Sequence, residues 1–178
     1  MYPTILKFWF EESDQSLWWS KNDAFDQQIR ERFAGIHAQA MRCELFAWRE
    51  NAEGRLAEII ILDQFSRNMF RDSPLSFAYD SLALALSQEA ISVEADQALS
   101  PIQRGFLYMP FMHSESLIIH EIAMDLYQKN GIPSFYDFEM KHREIIKKFG
   151  RYPHRNKLVG RASTEEEMAF LKHPGSGF

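Results

Sequence analysis

Residues 52–70 read AEGRLAEIIILDQFSRNMF. At about 100° per residue, Leu56, Ile59, Ile60, Asp63, Arg67 and Phe70 share one helical face, while Ile61, Leu62, Phe65 and Met69 form a second apolar one. A helix apolar on two sides is buried on both, so the stretch predicts an α-helix at the centre of a helical body. Asp63 and Arg67 stand four apart inside the apolar stripe and can pair. One reading makes them a structural ion pair, whose rupture leaves a buried charge at a cost of about 3–5 kcal/mol. The other turns Arg67, with Arg71 and Gln64 beside it, toward a ligand carboxylate or phosphate.

Helix signals recur outward from this segment. Asn22 can cap a helix carrying Phe25, Ile29, Phe33, Ile36 and Ala40. Ser73-Pro74 and Ser100-Pro101 are start signals for helices over Leu75–Ala90 and Ile102–Met109. Further helices are expected over Ser114–Lys129, which Gly131-Ile132-Pro133 stops, and over Ser134–Phe149, with Gly150 as a left-handed cap. Ser163-Thr164-Glu165-Glu166 reads as a capping box for a last helix. No Val/Ile/Thr-rich alternating run suggests a strand. The expectation is an all-α chain of at least seven helices, joined by short loops into antiparallel hairpins, with no linker to divide residues 1–178 into more than one domain. A repeat near 34 residues is only weakly present.

Composition agrees. Of 178 residues, 46% are apolar and 14% aromatic, with fifteen Phe and four Trp, enough for an aromatic core. A net charge of −5 argues against nucleic acid as the partner, because such binding neutralises phosphates with Lys and Arg. No apolar run approaches the roughly 20 residues of a membrane span, and no signal peptide is expected. The single Cys43 excludes an intramolecular disulfide, suits a reducing cytoplasm, and is read as a small buried residue at a helix end. Charge is uneven: Met140–Arg161 carries eight Lys or Arg and one acid, Glu144, a candidate anion-facing patch.

Two further polar runs stand out. In Arg104-Gly105-Phe106-Leu107-Tyr108-Met109-Pro110-Phe111-Met112-His113-Ser114-Glu115, Pro110 predicts a kink or restart that frees backbone N–H groups near His113 and Ser114. His113 and His120 are seven apart, a poor metal pair, and no metal is expected. In Lys141-His142-Arg143 through Phe149-Gly150-Arg151-Tyr152-Pro153-His154-Arg155-Asn156, His142 falls in the stripe of Phe135, Phe138, Ile145 and Ile146. Pro153 can open a short helix whose first turn holds His154 and Arg155, cations that oppose the helix dipole unless an anion offsets them. No established catalytic signature is present, and the sequence points to no particular cofactor.

Leu62-Asp63-Gln64-Phe65-Ser66-Arg67-Asn68, Tyr108 through Glu115, and Phe149 through Asn156, in that order, together resemble the domain-of-unknown-function 924 family of bacterial proteins. The early Phe8-Trp9-Phe10 and the closing Pro174-Gly175-Ser176 also match, so the resemblance covers nearly the whole chain. It implies an α-α superhelix similar to tetratricopeptide proteins and carries no activity with it. Ser66 stands where the family usually has Pro, and Cys43 and Asp72 where Gly is usual.

Two functions follow as expectations. In the first, Asp63, Arg67, Arg71, Arg104, Arg143, His154 and Arg155 bind a small anionic ligand, His113 or His142 transfers a proton, and Glu115 orients it. In the second, the helices form a tetratricopeptide-like scaffold whose basic patch takes an acidic peptide. The same polar residues can instead be a buried network that only specifies the helical packing.

Overall fold

The computed structural model describes residues 1–177, and they form α-helices joined by short 3-10 and π-helical turns, with no strand among them. The helices are α1 (Tyr2–Lys7), α2 (Asp23–Met41), α3 (Ala52–Ile60), α4 (Ser66–Met69), α5 (Asp80–Ser92), α6 (Pro101–Met112), α7 (Leu117–Asn130), α8 (Pro133–Phe149) and α9 (Glu165–Phe170).

Local chemistry sets most of the ends. Asn22 accepts from the Phe25 amide at 2.9 Å and starts α2. Ser100 and Gln103 close a capping box around Pro101 at the head of α6. Gly131 and Gly150, both at positive φ, end α7 and α8. The last capping box is built by Thr164 and Glu167, one residue later than the sequence suggests. The helix expected from Leu75 is delayed: Pro74–Ser76 makes one 3-10 turn, and α5 begins only at Asp80.

The segment 52–70 is central, as its pattern predicts. Leu56, Ile59, Ile60, Ile61, Leu62 and Phe65 are wholly buried. It is not one uniform helix, however. Ile61–Phe65 widens into a π-helical turn between α3 and α4, a local feature often found where a side chain is re-aimed for function. α3 packs against α1, α5 and α6, and α5 to α8 pack each against the next. The main core joins the amino-terminal aromatics Phe8 and Trp9 to Phe65 and Phe106. A smaller cluster of Ile145, Ile146 and Tyr152, with Phe149 and Phe170 against it, fastens the carboxy-terminal segment.

Two expectations need correction. Pro110 lies inside α6 without ending it, and the amides of His113 and Ser114 are bonded to Met109 O (3.0 Å) and Phe111 O (3.1 Å), so no free N–H cluster arises there. Proline lacks only its own donor, and its packed neighbours hold the helix together around it. Cys43 is exposed, not buried. It occupies a left-handed turn just past α2, at φ 58°, which carries its side chain out of the helix packing. Asp72 is left-handed too, at φ 62°. These are two of the positions where the family resemblance expects glycine, the residue for which that conformation is free of strain.

Candidate functional site

His113 ends α6, and its Nδ1 lies 2.7 Å from Asp63 Oδ1 on the π-helical turn. The same carboxylate oxygen is 3.0 Å from Arg67 Nη1, and Gln64 Nε2 donates to Oδ2 at 2.5 Å. Burial alone would raise the Asp63 carboxyl, but Arg67 and His113 reverse that and hold it below the usual carboxylate range. Burial, with Arg67 adding to it, lowers His113. The pair is therefore a carboxylate and a neutral imidazole at pH 7. Asp63 takes the Nδ1 proton as its hydrogen bond, which leaves the lone pair on Nε2. Nε2 makes no hydrogen bond among the described residues.

His113 faces a cavity of about 600 Å³. Met109, Met112 and Phe138 give it an apolar wall, Trp18 and Trp19 flank it, and Lys21, Arg71 and Asp72 also line it. Arg71 holds Asp26 through Nε (2.5 Å) and Nη2 (2.8 Å), and its Nη1 makes no hydrogen bond among the described residues. A smaller cavity of about 260 Å³ shares His113, Arg155 and Phe77 with the first and adds Asp80, Glu115 and Arg161.

Of the residues singled out from sequence, Arg67, Arg71, His113, His142, His154 and Arg155 line the large cavity. Asp63 lies behind His113 and is almost fully buried. Arg155 stacks on Phe77 and Tyr152 at 4.5 and 4.6 Å and donates to His113 O at 3.0 Å. His142 donates from Nδ1 to Phe138 O at 2.7 Å. Burial lowers His142 to about 3 and His154 to about 4, so both are neutral at pH 7.

Three residues lie elsewhere. Glu115 does not orient His113: it accepts both terminal nitrogens of Arg161 (2.6 and 2.8 Å) and the Tyr152 amide (2.8 Å). It stands two residues past His113, beyond the end of α6, and points toward the carboxy-terminal loop. Asp63 takes the orienting place. Arg104 donates to Leu99 O at 3.1 Å, and Arg143 pairs with Glu121 and Glu144 on the exposed side of α8; neither lines either cavity.

The sequence reading missed Asp80. Its two oxygens each lie 3.0 Å from Arg67, and Oδ2 also takes Arg155 at 3.1 Å. It missed Trp18 and Trp19 as well, though Ser16-Leu17-Trp18-Trp19-Ser20 is an unusual pair of indoles in a short turn, and Trp19 is half exposed. Among the described residues, no group of three or more His, Cys, Asp or Glu is placed to hold a metal ion, and no helix is long and apolar enough to cross a membrane.

An all-α body with a histidine–carboxylate pair opening onto a cavity with cationic side chains in its wall is the class that fold and geometry define. The chain belongs to the bacterial family of proteins of unknown function DUF924, whose pattern matches residues 5–175. It is similar to a solved protein of unknown function from Agrobacterium tumefaciens, with 39% identity over 96% of each chain and a TM-score of 0.91. No curated protein matches the chain.

Proposed function

We propose that the protein binds a small molecule with an anionic group and an apolar body in the large cavity, and that His113 acts there as a general base. The observation that carries this is the Asp63–His113 pair at 2.7 Å, with His113 lining the cavity and its opposite ring nitrogen making no hydrogen bond among the described residues. A buried carboxylate fixes the tautomer, and a neutral imidazole accepts a proton from a bound group. The anionic end is assigned to the side of Arg71 and Lys21: Arg71 keeps Nη1 without a hydrogen bond among the described residues beside its pair with Asp26, and Lys21 pairs only with exposed Asp72 at 3.3 Å. Met109, Met112 and Phe138 would take the apolar body. His142 is kept as a second proton-transfer candidate and His154 as a ligand contact.

The scaffold reading, a tetratricopeptide-like groove for an acidic peptide, has less to support it. Within Met140–Arg161, Arg143, Lys148, Arg151, Arg155 and Arg161 each already face a carboxylate within 3.1 Å. A single free, exposed cysteine suits a reducing compartment, and the cytoplasm is the proposed location.

The test is a thermal-shift series of carboxylates and organic phosphates with apolar bodies of increasing length. An occupant at 100 times its Kd stabilises by about 2.7 kcal/mol. The expected result is a shift that grows with the apolar body and falls in Arg71→Gln. No shift with any anion, or one unchanged in Arg71→Gln, would overturn the assignment.

A further inference from the structure

His113 does not hold its place through Asp63 alone. Arg67 lies 3.0 Å from the very oxygen of Asp63 that takes the His113 proton, and it also donates to the Asp63 carbonyl at 2.9 Å. Arg155 grips the His113 carbonyl at 3.0 Å. These two guanidinium groups, from α4 and from the 3-10 turn Pro153–Arg155, are brought together by one carboxylate, Asp80 at the head of α5, with three contacts of 3.0–3.1 Å. Without that carboxylate Arg67 would keep Asp63 as its ion-pair partner, and Arg155 would have none among the described residues.

We infer that Asp80 is the positioning residue of the His113 site: by holding Arg67 and Arg155 it fixes Asp63 on one side of the imidazole and the His113 backbone on the other. The inference rests on the reading of His113 as the proton acceptor, and it adds a residue that the sequence did not single out. Asp80 does not touch the large cavity; it lines the small one, on the far side of the two arginines.

The charged and titratable groups around His113 come from several elements. Asp63 and Arg67 come from the segment 52–70, and Asp80 from α5. His142 on α8 has its ring centre 6.5 Å away. Arg155 and His154 come from the carboxy-terminal turn, and Glu115 with its partner Arg161 lines the small cavity beside His113. Removal of Asp80 and removal of Arg155 act on His113 with opposite sign. Loss of the Asp80 charge leaves Arg67 leaning on Asp63 and opposes a proton on His113. Loss of Arg155 removes a neighbouring cation and favours one.

The experiment is an NMR titration of the His113 ring in the full chain, with Asp80→Asn, Asp80→Glu and Arg155→Met. The expected midpoint falls by about one pH unit in Asp80→Asn, returns toward the parent value in Asp80→Glu, and rises in Arg155→Met, the size being that of one partly screened charge. A purely structural role would lower the unfolding temperature and leave the midpoints together. Equal midpoints, or shifts of the same sign in Asp80→Asn and Arg155→Met, overturn the inference. Should Asp80→Asn not fold, Arg155→Met decides alone: an upward shift supports it and none refutes it. A ligand screen without hits bears on the proposed function and leaves this titration untouched, so the two failures are separable.

Discussion

Two histidine–carboxylate pairs lie among the described residues, and they differ in what surrounds them. His113 and Asp63 meet at 2.7 Å, and His120 and Glu139 meet at 2.6 Å. The first pair has Arg67 on its carboxylate and a cavity at its imidazole. The second is sealed, with both side chains wholly buried. His120 Nε2 is held by Ser114 O at 2.9 Å, and Glu139 Oε2 has no hydrogen-bond partner among the described residues. Burial raises the Glu139 carboxyl, while Arg67 and His113 lower Asp63 despite its burial. The two carboxyls are thus moved in opposite directions, by a contacting cation at Asp63 and by burial at Glu139. Beside Arg67 the Asp63 carboxylate stays ionised; at the sealed pair burial disfavours the charged form of Glu139. The first arrangement suits chemistry and the second suits packing.

The widest test of this contrast is pH. Burial lowers His37 and His154 to about 4 and His142 to about 3, each from 6.5. The unfolded chain binds protons below pH 6.5 that the folded chain refuses, so stability is fully present above 6.5 and is lost as the pH falls toward 4. Each histidine contributes up to about 1.4 kcal/mol per pH unit in that window. Urea unfolding at a series of pH values should therefore show a steep loss from pH 6.5 to 5; a flat profile would mean these rings are solvated.

Next in size is Asp63→Asn. It leaves Arg67 and Arg155 to share Asp80 in a buried setting and should cost about 3 kcal/mol in urea unfolding. The same chemical change at the sealed pair should cost less. In Glu139→Gln the amide can still hydrogen-bond His120 Nδ1, with an expected loss below about 1.5 kcal/mol. Equal losses at the two sites would erase the distinction between a pair that a cation contacts and one sealed by burial. The smallest effect is expected from Arg143→Ala, whose partners Glu121 and Glu144 are exposed: under about 0.5 kcal/mol, with ligand-induced thermal shifts unchanged.

What the sequence made legible follows from the range of the forces involved. The segment 52–70 declared its burial and the Asp63–Arg67 pair because both are properties of one helix period. Asn22, Gly131 and Gly150 declared their helix ends for the same local reason. The pairing of His113 with Asp63 was hidden, because its partners are fifty residues apart and only the packing of α6 against α3 brings them together. Glu115 looked like the orienting acid because it is near in sequence, yet it stands beyond the end of α6 and turns to Arg161. Asp80 gave no signal: an acid in the first turn of a helix reads as dipole complement, and nothing local reveals two arginines from distant segments closing on it.

The central claim is that Asp63 holds the proton of a neutral His113 on Nδ1, so that Nε2 presents a lone pair to the cavity. Nitrogen-15 NMR of the His113 ring at pH 7 tests it directly. The account predicts a neutral ring with the hydrogen on Nδ1 and a bare Nε2. A protonated ring, or a hydrogen on Nε2, would contradict it.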